Sequence, residues 1–202
     1  MISTSPLGVR VIKLGGSLLD FDPLVTAWSR WLGEQSPAAN VVIVGGGKLV
    51  EAIRDLDDAN ALGEEAAHWL SVRAMGYTAA NVASILPDVE LVSRLDELDL
   101  TSAATTILDV WQFLFDDDRF TASPLPCSWQ VTSDSIAARV AQRLAAQELV
   151  LLKSASPPAF ASLPALAEQK FVDAYFPQAV PAGLSVRSVN LRDANQGETQ
   201  IA

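Results

Sequence analysis

A chain of 202 residues, half of them hydrophobic and 19% charged, has the composition of a folded domain with ample core rather than of a disordered segment. Its 24 acidic against 14 basic residues give a formal net charge of −10, which argues against a general nucleic-acid surface or an anionic-membrane surface, since both want a basic face. Cys127 stands alone, so no intrachain disulfide and no cysteine-based metal site is spelled out.

Residues 1–6 lack the basic region and apolar core of a signal peptide, and no run of about 18 apolar residues offers a membrane span, so the expected location is cytoplasmic. Val9-Arg10-Val11-Ile12-Lys13-Leu14 then reads as a buried strand that opens into Gly15-Gly16-Ser17. Paired glycines allow a sharp turn and close backbone approach, and a following helix start would turn free N–H groups toward it. Strand, lysine, bare amides and helix start together suit a phosphate. Residues 23–32 read as a helix, with Leu24, Trp28, Trp31 and Leu32 near one face and Pro23 in its first turn. Val41-Val42-Ile43-Val44 repeats the buried strand, Gly45-Gly46-Gly47-Lys48 repeats the glycine turn, and Leu49, Ile53 and Leu56 begin another helical period.

Continuous apolar strands alternating with amphipathic helices indicate a parallel sheet covered on both faces, with ligands beyond the carboxyl ends of the strands. Neither glycine turn matches a better-known phosphate motif. Gly47-Lys48 is followed by Leu49 rather than Ser or Thr, Val42 stands where a P-loop has its first glycine, and no G-x-G-x-x-G is completed. The weight lies in the repetition and in the scarcity of lysine: Lys13, Lys48, Lys153 and Lys170 are the only four.

Residues 64–86 read as a long helix that Gly76 breaks or bends and Pro87 closes. It carries the only histidine, His68, either a half-buried core imidazole or a substrate contact, and Arg73, a solvated residue or an anion ligand. Residues 90–92 and 105–110 are expected strands, with 95–102 a polar connection; Asp116-Asp117-Asp118 reads as a solvated acidic loop rather than a metal site. Thr132-Ser133-Asp134-Ser135 leads into a helix over 136–147, and Thr132, Ser133 or Asp134 would cap it. In a functional reading, Asp134 instead faces the cleft and holds lysine ammonium groups. Leu149-Val150-Leu151-Leu152-Lys153-Ser154 is a further buried strand ending in lysine.

Taken in order, Lys13-Leu14-Gly15-Gly16-Ser17, Val44-Gly45-Gly46-Gly47, Thr132-Ser133-Asp134-Ser135-Ile136-Ala137-Ala138 and Leu151-Leu152-Lys153 resemble the amino acid kinase superfamily over about three-quarters of the chain. Within it the chain is most similar to small archaeal-type kinases of methanofuran-type cofactor synthesis, a likeness carried by the His68-Trp69 helix and by Trp129-Gln130-Val131-Thr132-Ser133-Asp134. The resemblance implies a three-layer αβα sandwich with a mainly parallel sheet, an acceptor lobe over about 1–125 and a nucleotide lobe over about 126–202. It implies an ATP- and Mg2+-dependent kinase for a small phosphorylated or carboxylated metabolite, commonly a homo-oligomer, with no nucleic-acid or membrane partner. Lys13, Asp134 and Lys153 would be catalytic; Lys13, Gly15, Gly16, Ser17, Ser133, Lys153 and Ser154 would hold nucleotide. Gly45, Gly46, Gly47, Lys48, His68 and Arg73 would bind acceptor.

One departure stands out. The family's Val-Asp-Gly-Val-Tyr-Asp-type stretch after this strand is replaced by Ser154-Ala155-Ser156-Pro157-Pro158-Ala159, with Phe171-Val172-Asp173-Ala174-Tyr175 as a displaced remnant. A second catalytic lysine would have to be Lys153 or Lys170. The competing reading is a nucleotide- or metabolite-binding protein that keeps the fold without catalysing transfer.

Overall fold

A computed structural model describes residues 7–159 and 162–202; the reading of residues 1–6 lies outside them. The opening run forms strand β1 (Val9–Leu14), followed by a single 3-10 turn at Gly16–Leu18 and helix α1 (Leu24–Gly33), which Pro23 enters as its N-cap. Next come β2 (Ala39–Val44), α2 (Gly47–Asn60), the long α3 (Glu64–Ile85), β3 (Val89–Val92), β4 (Thr105–Leu108) and α4 (Val110–Phe120). Helix α5 (Ser133–Arg143), β5 (Glu148–Lys153), the short α6 (Leu163–Glu168) and α7 (Phe176–Ala179), β6 (Ser185–Asn190) and β7 (Glu198–Gln200) complete it. The strands make one sheet in the order β3-β4-β2-β1-β5-β6-β7, parallel except for the β6–β7 pair.

Helices cover both faces, so the central strands are buried on both sides and carry apolar residues without alternation. Val11, Val41, Ile43, Leu149 and Leu151 pack under α5 and the first half of α3; Ile12, Leu14, Val42, Val150 and Leu152 pack under α1 and the second half of α3. Helix α3 thus serves both layers, with Val72 and Met75 on one side and Ala79 and Val82 on the other. Among the described residues no helix is long and apolar enough to cross a membrane.

Three expectations are corrected. Gly76 neither breaks nor bends α3 out of helical form: the helix is continuous, and a Cβ at Gly76 would stand 3.0 Å from the carboxylate of Asp109. The glycine is there for close approach, because Asp109 caps α4 by accepting from the Trp111 N–H. The chain therefore leaves β4 at Leu108, and Asp109 and Val110 belong to the cap and the helix. Asp116-Asp117-Asp118 is not a solvated loop but the last turns of α4. Asp117 is buried and pairs with Arg139 at 2.8 Å and Arg143 at 3.7 Å, tying α4 to α5.

Strand β6, paired with β5 on one side and β7 on the other, had no sequence signature. Its Arg187 and Ser188 are buried, and Arg187 is made tolerable by Glu148, at 2.7 Å, and Glu198, while Arg10 reaches the other oxygen of Glu148 at 2.7 Å. Two arginines hold the Glu148 carboxyl below its ordinary range against burial, which alone would raise it.

Removing one partner of a buried ion pair strands the other in the core. The Asp117→Ala variant leaves Arg139 unpaired and is expected to lose about 3 kcal/mol of stability. That is a fall of roughly 6–12 °C in melting midpoint for a chain of this size, readable by calorimetry. An unchanged midpoint would show that Asp117 does not bind the two helices together.

Candidate functional site

The carboxyl ends of β1, β2 and β5 open onto a cleft of about 400 Å³. Lys13, Gly15, Gly16, Ser17, Gly45, Gly46, Gly47, His68, Ser133, Lys153 and Ser154 all line it. Asp134 lies beneath its floor, buried, and reaches both lysines. Lys13 Nζ stands 3.0 Å from Asp134 Oδ1, and Lys153 Nζ donates to both oxygens at 2.9 and 2.8 Å. Burial alone would raise the Asp134 carboxyl, but the two ammonium groups override it and hold it at about 2. For Lys153 burial is the larger influence. It carries that ammonium from 10.5 down to about 8, with Lys13 adding to the fall and Asp134 opposing it.

The aspartate can face the lysines because another carboxylate does the capping. Thr132 is the N-cap of α5, yet no side chain of the Thr-Ser-Asp cluster makes the cap bond. Instead Asp173 Oδ2 accepts from the N–H groups of Thr132 and Ser135, at 3.0 and 2.9 Å, and from the Thr132 hydroxyl; its Oδ1 takes the Ser135 hydroxyl. Burial, with Asp134 nearby, still pushes the Asp173 carboxyl upward despite these donors. Two residues earlier in the same segment, the Phe171 carbonyl accepts the third Lys153 hydrogen at 2.8 Å. The Phe-Val-Asp stretch is thus built into the floor of the cleft, braced on α5 and Lys153.

The glycines serve each other first. A Cβ on Gly16 would lie 2.3 Å from the Gly47 nitrogen, and one on Gly45 2.7 Å from the Gly16 nitrogen, so the two turns are in mutual backbone contact. The N–H groups of Gly15 and Gly45 are already spent, donating to Leu152 and Leu14 carbonyls at 2.8 Å. Donors for an anion therefore come from the amides that open the 3-10 turn and α2. Helix α2 starts behind Gly46 with no side-chain cap, leaving its first N–H groups directed at the turn. Such a site fits a phosphate chain. Among the described residues no three His, Cys, Asp or Glu side chains cluster as a metal cage, so a magnesium ion would come held mainly by phosphate oxygens and water.

Two expected acceptor ligands stand elsewhere. Arg73 is exposed on α3 with its guanidinium 3.7 Å above the Trp111 ring, outside the cleft lining. Lys48 is largely exposed and pairs with Asp20 at 3.0 Å, in a neighbouring groove behind the glycine turns. Helical geometry decides both: Arg73 and Lys48 lie on outward faces of α3 and α2, whereas Val50, Val72 and Met75 point into the cleft. His68 does line it, buried, its imidazole pushed below the usual range by burial.

The fold and the family are both shown by comparison with known proteins. The uridylate kinase of Archaeoglobus fulgidus superposes with a TM-score of 0.63 at 17% identity, over 96% of this chain and 98% of that one. The UMP kinase of Bacillus anthracis gives 0.64 at 12%, over 98% and 100%. The amino acid kinase family model matches residues 8–156, and the chain belongs to that family. Among curated proteins, a (5-(aminomethyl)furan-3-yl)methyl phosphate kinase of Methanocaldococcus jannaschii is 24% identical over 149 residues. That stretch is 71% of this chain and spans 64% of the relative's length.

Lys153 also sets a pH dependence of stability. Its folded value, about 8, lies below its ordinary 10.5, so between those limits the unfolded chain holds a proton the folded chain has shed. Stability from this group therefore rises with pH across that window. The unfolding free energy of wild type minus that of Lys153→Met, from urea titrations, should grow from pH 8 to 10.5; a flat difference would refute the assignment.

Proposed function

We propose that the protein is an ATP-dependent phosphotransferase for a small phosphorylated metabolite, with residues 1–125 holding the acceptor and 126–202 the nucleotide. The observation that carries the reading is the pair of ammonium groups on one buried carboxylate, set under two touching glycine turns at the ends of parallel strands. Phosphoryl transfer asks mainly for positioning and for positive charge where negative charge crowds. Lys13 supplies that charge: among the described residues it pairs with Asp134 alone, so its remaining hydrogens are available to a phosphoryl oxygen. Lys153 has all three hydrogens engaged, and its role is to neutralise Asp134 and set the position of the floor. Ser17 and Ser154, whose hydroxyls bond each other at 2.8 Å, join the ends of β1 and β5 where the nucleotide would lie. Mg2+ bound with the nucleotide would offset phosphate charge.

The finer reading is an acceptor like that named for the Methanocaldococcus relative, a furan bearing a methyl phosphate, and hence a place in methanofuran-type cofactor synthesis. A cytoplasmic location and a homo-oligomeric state belong to the same reading. The second reading, a binding protein that no longer transfers phosphate, is favoured by the full engagement of Lys153 with protein partners.

Calorimetry with Mg-ATP, joined to an acceptor screen that follows ATP consumption, separates the two. The kinase reading expects ATP binding and turnover on a phosphorylated acceptor, with Lys13→Ala lowering turnover by roughly 100- to 1000-fold. Binding without turnover on any acceptor supports the second reading, and absence of ATP binding overturns the first.

A further inference from the structure

The acceptor end of the cleft is lined by Val50, Val72, Met75 and Val131, with Trp129 beside them. Trp129 is fixed on two sides by the outward half of α2. Its indole N–H donates to Asp57 Oδ2 at 2.8 Å, and the Arg54 guanidinium lies 3.9 Å from the ring centroid. Trp129 lines the cleft and Arg54 does not. An indole clamped by its edge and one face is a preorganised platform, since little rotamer freedom is left to lose when a ring settles on it.

Charge narrows the ligand further. The cations that line the cleft are Lys13, Lys153 and Lys170. The first two sit over Asp134 in the floor, and Lys170 adjoins Phe171, whose carbonyl holds Lys153. Among the described residues Arg73, Arg54 and Lys48 stay out of the lining, the first two stacked on Trp111 and Trp129 and the third paired with Asp20. A second anionic handle on the acceptor, such as a free carboxylate, would enter an apolar compartment without a partner, which is costly. From Trp129 and this distribution of charge we propose that the ring of an acceptor of the kind already named is selected at Trp129, with its single anionic arm lying along the cleft. Trp129 stacks on the ring as the specificity-determining residue, and the arm reaches Lys13. This rests on the kinase reading and assigns the residue that selects its substrate.

The test uses two phosphates of equal reach, benzyl phosphate and cyclohexylmethyl phosphate, titrated calorimetrically into the full-length protein with a non-hydrolysable ATP analogue and magnesium present. The saturated ring is the more hydrophobic, so an apolar pocket without stacking would bind it equally or better. Stacking predicts that wild type prefers benzyl phosphate about tenfold, that Trp129→Phe keeps the preference, and that Trp129→Leu abolishes it. Benzyl phosphate should also perturb tryptophan emission in wild type and not in Trp129→Phe, which has lost the reporting indole but not the flat ring. Equal binding of the two phosphates by wild type, or a preference that survives in a folded Trp129→Leu, overturns the proposal and leaves the kinase reading standing. Failure of the ATP analogue to bind overturns the kinase reading and this proposal with it.

Discussion

Everything at the top of the sheet depends on one buried carboxylate. Asp134 is placed where a negative charge would be costly in isolation, and two lysines from the ends of different strands converge on it. None of the three could be left there without the others. Lys13 and Lys153 without Asp134 would repel each other in the same buried space, and Asp134 without them would take up a proton. The chain position of these residues, spread from β1 through α5 to β5, makes the triad a closure between strands that only the finished fold assembles. Its net charge of one positive unit faces a cleft beside the glycine turns, in a protein of formal charge −10.

A second carboxylate makes the first possible. A helix beginning Thr-Ser-Asp-Ser would ordinarily turn one of its own side chains back onto its first amides. Here Asp173 arrives from the far side of β5, takes the Thr132 and Ser135 donors, and releases Asp134 to point at the lysines. The Phe171 carbonyl on the same segment completes the Lys153 shell. Cap and cleft are one hydrogen-bonded unit, so a shift of residues 171–173 would be felt by the α5 terminus and Lys153 together.

Much of this was legible in the chain, for a definite reason. Buried parallel strands ending in glycine write both their position and their exit in residue types, so β1, β2, β5 and the turns after β1 and β2 could be read directly, as could the convergence of Lys13, Gly45, Asp134 and Lys153 on one side of a parallel sheet. What could not be read were roles fixed by a distant partner. Asp117 looks solvated until Arg139 is beside it; Gly76 looks like a helix breaker until Asp109 approaches it; β6 looks too polar for a sheet until Glu148 and Glu198 neutralise Arg187. Asp173 was visible within a suspicious segment, but nothing local distinguishes a carboxylate that caps a helix 38 residues away from one that meets solvent. Arg73 and Lys48 fail for the opposite reason: proximity in sequence to the cleft says little when a helix turns 100° per residue.

The long α3 explains why one wall of the cleft is apolar while the floor is charged. A helix shared by both layers of the sandwich must show core residues on two faces, so its inner surface near the cleft is Val72 and Met75, continuous with the core. The polar groups of α3 in the cleft lining are His68 and Ser71, the imidazole pushed below its usual range by burial and the hydroxyl returned to the Ala67 carbonyl at 2.8 Å. The arginines of α2 and α3, Arg54 and Arg73, are left to the outer faces, where each finds an aromatic ring instead of a ligand. Packing thus holds the Asp134-bound lysines, Lys13 and Lys153, at the strand ends, while the side wall beside them is apolar. The architecture that builds the core also sets the polarity of what the cleft can hold.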